Sequence, residues 1–341
     1  MAYSSHLITT LQEVIPLWAA FAQSIGWTVN STVPTAPTIT HPSQAGAIPF
    51  RLQYATNGTY GRRLVVDSPN ATMTGTARMN APVLNPTLTA GGVVISAPTR
   101  VHFIGSTTGV PFLATVVEFG FNSYRHLFVG YMNKSSAYDG GEIVSGTWGL
   151  ETALSSTGSQ LAWDLTTGVK PLFNGSGANT GTNDRGGLRV VHASNPTPWR
   201  EFRSTTANST ADINYFASGT RNITAIGGYL DGPNTGYAIA GKSEYTVSAV
   251  VAPIPILLTT EIGGNLYFRN VGTPRGIRHI NIENFEPGVQ VAVGSRNFIV
   301  FPWMAKRSNT VTTFPPGSVV STSRFPQAEN SAYLGYAYEL D

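Results

Sequence analysis

Charged side chains are scarce in this chain, and this scarcity constrains the fold more than any other feature of the sequence. Asp, Glu, Lys and Arg make up 11% of the 341 residues, against about 25% in an ordinary soluble protein. Lys and Glu are among the best formers of exposed helix, so a chain this poor in them is not mostly a helical bundle. The chain instead holds 36 Gly and 22 Pro, which favour turns. The sequence therefore predicts a mainly β fold with many loops.

Short runs rich in Val, Ile, Phe and Tyr, bounded by Gly, Pro, Asn and Ser, predict the strands. Their spacing favours antiparallel β-sandwich or barrel lobes, preceded by a short N-terminal amphipathic helix. One hairpin is predicted to turn at Asn122 and Ser123, and a second at Gly263 and Gly264. The predicted strand segments are 50–54, 63–66, 93–96, 100–104, 112–121, 124–130, 245–251, 256–261, 266–269, 289–293 and 298–303.

Residues 4–25 carry the strongest helical pattern. Apolar side chains recur there at steps of three and four residues, which places them on one stripe of a helix. A Ser near the start can cap the helix, and Gly26 can end it. Pro16 predicts a kink, or two short helices that meet near Ile15. The stripe consists of Leu7, Leu11, Val14, Trp18, Phe21 and Ile25.

The composition divides the chain into four segments. Residues 1–29 form the N-terminal helix, and the proline-rich residues 30–49 form an extended arm that can lie along another chain. Residues 50–200 are a first β-rich domain, with a long glycine-rich loop at 174–187. Residues 201–341 are a second β-rich domain.

The few charges nearly balance, with 21 Lys and Arg against 18 Asp and Glu. Apart from Arg62 and Arg63 the cations are scattered, so the sequence predicts no specific nucleic-acid partner. The absence of Cys excludes disulfides and thiolate catalysis and fits a reducing cytosol. The N-terminal apolar stretch lacks a basic leader, and no run approaches the ~20 apolar residues of a membrane span. We expect neither a signal peptide nor a membrane span.

Patterns for catalysis and metal binding are weak. The six His show no i+2 or i+4 spacing, which argues against a metal site, and no Gly-x-Ser-x-Gly nucleophile turn occurs. The glycines from Gly175 to Gly181 have the wrong spacing for a dinucleotide loop. Asp139 and Glu142 are a local carboxylate pair, but Asp-Gly-Gly is first of all a turn sequence. We expect no enzyme, no catalytic or metal-binding residues and no cofactor.

Tyrosines beside Gly or Pro are candidates for another activity. Sugar-binding modules stack exposed aromatic rings on glycans, although core packing is the commoner role of such residues. The candidates are Tyr229, Tyr237, Tyr333, Tyr336 and Tyr338.

Four stretches of the chain resemble segments of a set of tailed-bacteriophage virion proteins. Phe298 stands where that family often has Trp, which is a conservative exchange. The resemblance touches both ends and the middle, so it spans most of the chain. The stretches are Leu11–Trp27, which ends in Ile-Gly-Trp; Arg125–Lys134 followed by Tyr138–Glu142; Gly272–Asn281 followed by Pro287–Pro302; and Gly335–Tyr338, which is similar to their closing Gly-x-Ala-Tyr.

The resemblance implies a non-enzymatic structural component of a tailed-phage virion, associated with the tail, the neck or collar, or the baseplate. Such a protein assembles in the host cytoplasm in many copies, and its partners are copies of itself and other virion proteins. Two alternatives stay open: an adhesin for a receptor or host-surface glycan, and a capsid decoration protein. A glycan-degrading enzyme is a third, which would require a cleft lined by carboxylates.

For a virion component, contacts between subunits are predicted in the helical stripe, in the arm at 30–49 and in the loop at 174–187. The stripe can pack on a neighbouring subunit or on the protein's own sheet, and both alternatives remain open. The candidate interface residues of the stripe are Leu7, Leu11, Val14, Trp18 and Phe21.

Overall fold

The chain is mainly β throughout the residues that the structure describes, as the sequence predicts. Strand pairs are antiparallel and the sheets of the described residues stay open, so sandwich packing rather than barrel closure describes them. The structure is a computed structural model, and it describes residues 2–43, 49–57, 61–67, 77–80, 83–84, 94–95, 97–106, 109–119, 123–135, 140–147, 172, 188–192, 199–201, 251–252, 256–262, 265–282, 284–302 and 334–340.

The helical part is short and the strands are numerous. A single-turn 3-10 helix (Leu11–Glu13) leads directly into α1 (Val14–Ser24). The strands are β1 (Ala2–Leu7), β2 (Thr28–Asn30), β3 (Thr38–Thr40), β4 (Phe50–Asn57), β5 (Gly61–Asp67), β6 (Ala77–Asn80), β7 (Val83–Leu84), β8 (Val94–Ile95), β9 (Pro98–Gly105), β10 (Phe112–Phe119), β11 (Ser123–Lys134), β12 (Gly140–Gly146), β13 (Leu188–His192), β14 (Trp199–Glu201), β15 (Val251–Ala252), β16 (Ile256–Ile262), β17 (Asn265–Pro274), β18 (Ile277–Asn281), β19 (Gln290–Val293), β20 (Arg296–Pro302) and β21 (Leu334–Glu339).

Three larger sheets organise these strands. The central sheet has the order β1-β9-β10-β11-β12-β13-β14, and the β16–β17 hairpin joins it because β17 pairs with the end of β11. The N-terminal sheet has the order β2-β3-β4-β5-β6, and the C-terminal sheet has the order β15-β18-β21-β20-β19. Strands β7 and β8 pair with each other.

The central sheet is covered on both faces, which β10 shows best. Every residue from Phe112 to Val117 is buried, a pattern that a strand adopts only when both of its faces are packed. On one face, alternate residues share a hydrophobic core with α1 and the N-terminal sheet. This core includes Trp18, Phe21, Ile39, Phe50, Leu52, Leu64, Val101, Phe103, Leu113, Val117, Leu127 and Val129.

The C-terminal sheet covers the opposite face. The Phe301 ring lies 4.7 Å from the His102 ring, measured between centroids. The turn between β17 and β18 also packs closely here, because Gly276 has φ +73° and a Cβ there would collide with the Phe112 ring. Only glycine combines this backbone conformation with this approach. A smaller core, built from Ile280, Ile282, Phe298, Val300 and Ala337, lies on the outer face of this sheet.

The prediction of a helix from residue 4 is wrong for residues 4–10, since helical structure begins only at Leu11. Residues Ala2–Leu7 form β1 and pair with β9 over their whole length. The spacing from Leu7 to Leu11 fits a helix, but Tyr3, Ser4 and Ser5 are weaker helix formers than Ala or Leu. Pairing with β9, about a hundred residues away in sequence, decides the local structure.

The rest of the predicted helix is confirmed. The 3-10 helix and α1 meet beside Ile15 as two short helices. Pro16 lies in the first turn of α1, where a residue without a backbone N–H is tolerated. At the start, the backbone N–H and hydroxyl groups of Thr9 and Thr10 donate to Glu13 Oε1 at 2.7–3.2 Å, so these threonines, rather than a preceding Ser, organise the helix start. At the end, Gly26 has φ +89°, as in a glycine-terminated helix.

Both predicted hairpins are confirmed, since β10 pairs with β11 and β16 pairs with β17 through Ile262 and Asn265. The first turn was placed one residue too late, because Ser123 already pairs with Phe119 as the first residue of β11. The predicted arm is partly a hairpin, since β3 pairs with β2 and β4 within its own chain. The glycine-rich loop 174–187 lies outside the described residues. The division into domains at residue 200 stays a prediction, although β17 from the second half pairs with β11 from the first.

Replacing Trp18 tests the core between α1 and the central sheet. Trp18 is fully buried, so Trp18→Ala leaves a cavity and should lower the free energy of unfolding by about 3–5 kcal/mol. Val33→Ala is the control, because Val33 is 54% exposed and its truncation should change stability by less than about 0.5 kcal/mol. Urea unfolding of both variants measures the difference. Equal, small effects would contradict this packing.

Candidate functional site

His126 in β11 joins the central sheet to the C-terminal sheet. It is fully buried, and its Nε2 lies 2.8 Å from the Pro302 carbonyl oxygen at the end of β20. A carbonyl oxygen only accepts, so Nε2 carries the hydrogen and donates it. In the neutral ring Nδ1 then accepts from the Tyr338 hydroxyl of β21, at 2.7 Å. One histidine therefore binds two strands of the opposing sheet.

A second ring pair surrounds this contact. The Tyr336 ring lies edge-on to His126 at 5.2 Å and stacks on His279 of β18 at 5.7 Å. The Tyr336 hydroxyl donates to the Leu172 carbonyl oxygen at 3.0 Å. Burial lowers the pKa of His279 to about 3 and raises the pKa of Tyr338 well above its ordinary value. Both side chains are therefore neutral at pH 7. We call His126, His279, Pro302, Tyr336 and Tyr338 the inter-sheet junction.

His102 in β9 repeats the hydrogen-bonding pattern of His126. Both histidines flank Val116 of β10 in the strand register, so they lie on the same face of the central sheet. His102 Nδ1 lies 2.9 Å from the Tyr3 hydroxyl, and Nε2 lies 2.8 Å from Glu118 Oε1. The row Tyr3, His102 and Glu118 thus ties β1, β9 and β10 together, but at a more exposed position than the inter-sheet junction.

An ionic cluster lies at one end of the C-terminal sheet. The Glu339 carboxylate is 2% exposed, and its Oε1 lies 3.6 Å from Arg275 Nη2 and 3.4 Å from Arg296 Nη1. Burial lowers the pKa of Arg278 nearby, while Glu339 raises it. The cluster joins the end of β21 to β20 and to the turn before β18.

Chemically, these groups hold the layers together and are poorly placed to act on a substrate. Both ring nitrogens of His126 are engaged within the protein, so its use as a base or ligand would require breaking the contact between sheets. Arg125, the neighbour of His126, is also buried, and its Nη1 donates to the Tyr124 carbonyl oxygen at 2.8 Å. Burial lowers its pKa to about 9, so it remains a cation at pH 7.

The structure separates the five candidate interface residues into two groups. Leu11, Val14, Trp18 and Phe21 are buried in the protein's own core, which is the alternative in which the stripe packs on its own sheet. Leu7 lies on β1 instead and is 75% exposed. Of the stripe, therefore, only Leu7 is placed to contact another molecule.

The other candidate residues fall in several places. Tyr336 and Tyr338 are fully buried in β21, as core packing requires. Glu142 is buried in β12. Among the described residues, no group of three or more His, Asp or Glu side chains is arranged to hold a metal ion. The remaining candidates, Asp139, Tyr229, Tyr237, Tyr333 and Gly175–Gly181, lie outside the described residues.

One further motif also lies outside the described residues. Gly236, Gly241, Lys242 and Ser243 match the spacing Gly-x-x-x-x-Gly-Lys-Ser of a phosphate-binding loop. That pattern holds phosphate when it follows a strand and opens a helix. The spacing of these residues is not sufficient by itself to assign the motif a function in this chain.

The chain matches no known protein family and no curated protein. In the part of the chain that the structure describes, the helices are too short or too polar to cross a membrane.

Spacing along the sequence did not indicate which residues meet at the inter-sheet junction. His126 and Tyr338 are 212 positions apart, and His126 and Pro302 are 176 apart. Part of the site does have a local signal. Tyr336 and Tyr338 are two positions apart, so in a strand both side chains lie on the same face. Nothing local indicates Leu172 as the partner of Tyr336.

Removing the Tyr338 hydroxyl tests the inter-sheet junction. Tyr338→Phe leaves His126 Nδ1 buried without this donor, which should lower the free energy of unfolding by about 1–3 kcal/mol. Tyr3→Phe is the matched control, since it removes the same kind of bond, from a tyrosine hydroxyl to His102 Nδ1, at a partly exposed position. Its cost should stay below about 1 kcal/mol. Urea unfolding measures both; a larger loss in the control would contradict the assignment.

Acid stability tests the burial of His279. The unfolded imidazole binds a proton near its ordinary pKa of 6.5, whereas the folded protein resists protonation until about pH 3. Unfolding therefore takes up a proton between these values, and this residue lowers the free energy of unfolding by up to about 1.4 kcal/mol for each pH unit of acidification. His279→Gln should show a shallower acid decline, measured by urea unfolding at several pH values below 6.5. Identical slopes would contradict the prediction.

Proposed function

We propose that the chain is a non-enzymatic structural component of a tailed-phage virion, associated with the tail, the neck or collar, or the baseplate, and present in multiple copies. It assembles in the host cytoplasm, with copies of itself and other virion proteins as partners. The single observation that carries the proposal is that three of the stretches that resemble virion proteins meet at His126 in the inter-sheet junction. Arg125–Lys134 contributes His126, Pro287–Pro302 contributes Pro302, and Gly335–Tyr338 contributes the two tyrosines.

The other segments of the resemblance also occupy packing positions. Gly272–Asn281 contributes Gly276 and His279, which contact Phe112 and Tyr336. Leu11–Trp27 forms the helical layer over the central sheet. The residues that carry the resemblance thus maintain a layered body, which suits a protein that acts through its shape and its contacts.

The composition supports the same proposal on physical grounds. Few charged side chains mean little repulsion between like charges when copies pack closely. Within the described residues no observation favours a glycan-binding adhesin, because the two candidate tyrosines found there, Tyr336 and Tyr338, are buried. A capsid decoration protein remains a variant within the structural class and differs only in where the protein sits on the particle.

Localisation on purified particles tests the proposal. Particles of the phage that encodes the chain should contain it in a fixed number of copies, measured by mass spectrometry against a labelled standard of the recombinant chain. Gold-labelled antibodies should mark the tail, neck or baseplate. Labelling of the shell would instead favour capsid decoration. Absence from particles, with the chain found only in the soluble lysate, would overturn the proposal.

A further inference from the structure

Strand β1 is an edge of the central sheet. Ala2–Leu7 pairs with β9 in an unbroken register and with no other strand of the described residues. Proteins usually protect such edges with Lys, Pro, bulges or a covering segment. The sequence Ala-Tyr-Ser-Ser-His-Leu contains no Pro, Lys, Arg, Asp or Glu. This edge therefore lacks the side chains that would prevent another strand from pairing with it.

The backbone hydrogen bonds show which groups of β1 point outwards. The Ile8 N–H donates to the Thr99 carbonyl oxygen at 3.2 Å, so Ile8 and Thr99 are a hydrogen-bonded pair. In an antiparallel ladder such pairs alternate along the strand. The N–H and C=O groups of Ser4 and His6 therefore point towards β9, and those of Tyr3, Ser5 and Leu7 point away from it.

The side chains of these outward residues share one face. Ser5 lies directly opposite His102 in the register, so Tyr3, Ser5 and Leu7 lie on the His102 face of the sheet. Tyr3 is 38% exposed and Leu7 is 75% exposed, and they are two of the four exposed large hydrophobic residues of the described chain. Ser5 lies midway between them.

We propose that two copies of the chain pair through their β1 edges, antiparallel, about a two-fold axis that passes through Ser5 perpendicular to the sheet. Tyr3 of each copy then lies opposite Leu7 of the other, and Ser5 lies opposite Ser5. In each of these facing pairs the outward N–H and C=O groups can exchange hydrogen bonds. The central sheets of the two copies become one continuous sheet, a form of strand addition.

The geometry selects this register. Rotation about a two-fold axis perpendicular to a sheet leaves each side chain on the same face of the sheet. An odd-numbered residue of β1 can therefore lie opposite only an odd-numbered residue of the other copy, and an even-numbered residue opposite only an even-numbered one. Centring on Ser4 would place Tyr3 opposite Ser5 and leave Leu7 beyond the paired described residues. Centring on Ser5 covers both exposed apolar side chains and uses every outward residue. No like charges face each other, since the strand carries no Asp, Glu, Lys or Arg.

Such a pairing is isologous and closes as a dimer. Its biological role as part of a multi-copy assembly rests on the proposed function, but the pairing itself is a property of the isolated chain. Absence of the protein from virions would leave the dimer in place, and a monomer in solution would leave virion localisation open. The two proposals can therefore fail separately.

Sedimentation velocity of the full chain over a wide concentration series tests the dimer. Any purification tag belongs at the carboxyl end, because an N-terminal extension would adjoin β1. The wild-type chain should dimerise with increasing concentration. Ser5→Pro removes an N–H that β9 does not use, so at concentrations where the wild type is monomeric it should keep the wild-type melting curve. It should also raise the dimer Kd more than about tenfold. A wild-type chain that stays monomeric throughout would overturn the proposal.

Charge exchange at the axis tests the register. Ser5→Lys and Ser5→Glu each place like charges opposite each other and should each weaken the dimer more than about tenfold. An equimolar mixture should restore a dimer that contains one copy of each. Val33→Lys, at a residue that is 54% exposed and lies outside β1, is the control and should dimerise like the wild type. Unchanged dimers in both Ser5 variants, or no recovery on mixing, would overturn the proposed register.

Discussion

The central sheet is buried on both faces, and this double burial governs the rest of the structure. Apolar residues fill the face towards α1 and the N-terminal sheet. On the other face two histidines, His102 and His126, fall at positions with little access to water. Buried polar atoms in proteins are nearly always hydrogen-bonded, and both nitrogens of His126 have partners. The C-terminal sheet supplies the partners of His126, so that sheet must pack where it does.

The polar contacts therefore specify how the layers are placed, while apolar burial provides the stability. Phe301 and the tight turn at Gly276 fit against the central sheet, but apolar contacts tolerate some sliding. The directed bonds of His126 to Tyr338 and Pro302 allow one position only. The neutral state of the nearby His279, whose pKa burial lowers to about 3, fits this role, because an ion in the same place would carry a large desolvation cost.

With both faces covered, the sheet edges are the natural surfaces for contact with other molecules. The residues of the stripe that lie on the helix are buried in the protein's own core. Their amphipathic pattern therefore does not indicate an external interface. Leu7, the first residue of the predicted stripe, lies instead on the edge strand β1, where its apolar side chain is largely exposed. Under the proposed function, the uncharged edge of β1 is the contact surface, because the helix is already buried.

Local patterns in the sequence determined much of this protein: the mainly β class, both hairpins, the end of the helix at Gly26 and most of the strands. These features depend on neighbouring residues, whose turn preferences and apolar periodicity can be followed directly along the chain. The tertiary structure decided that residues 2–7 are a strand, that Trp18 faces the protein's own sheet, and that His126 meets Tyr338. Each of these depends on a partner distant in sequence, and no local spacing encodes which distant strand will lie alongside.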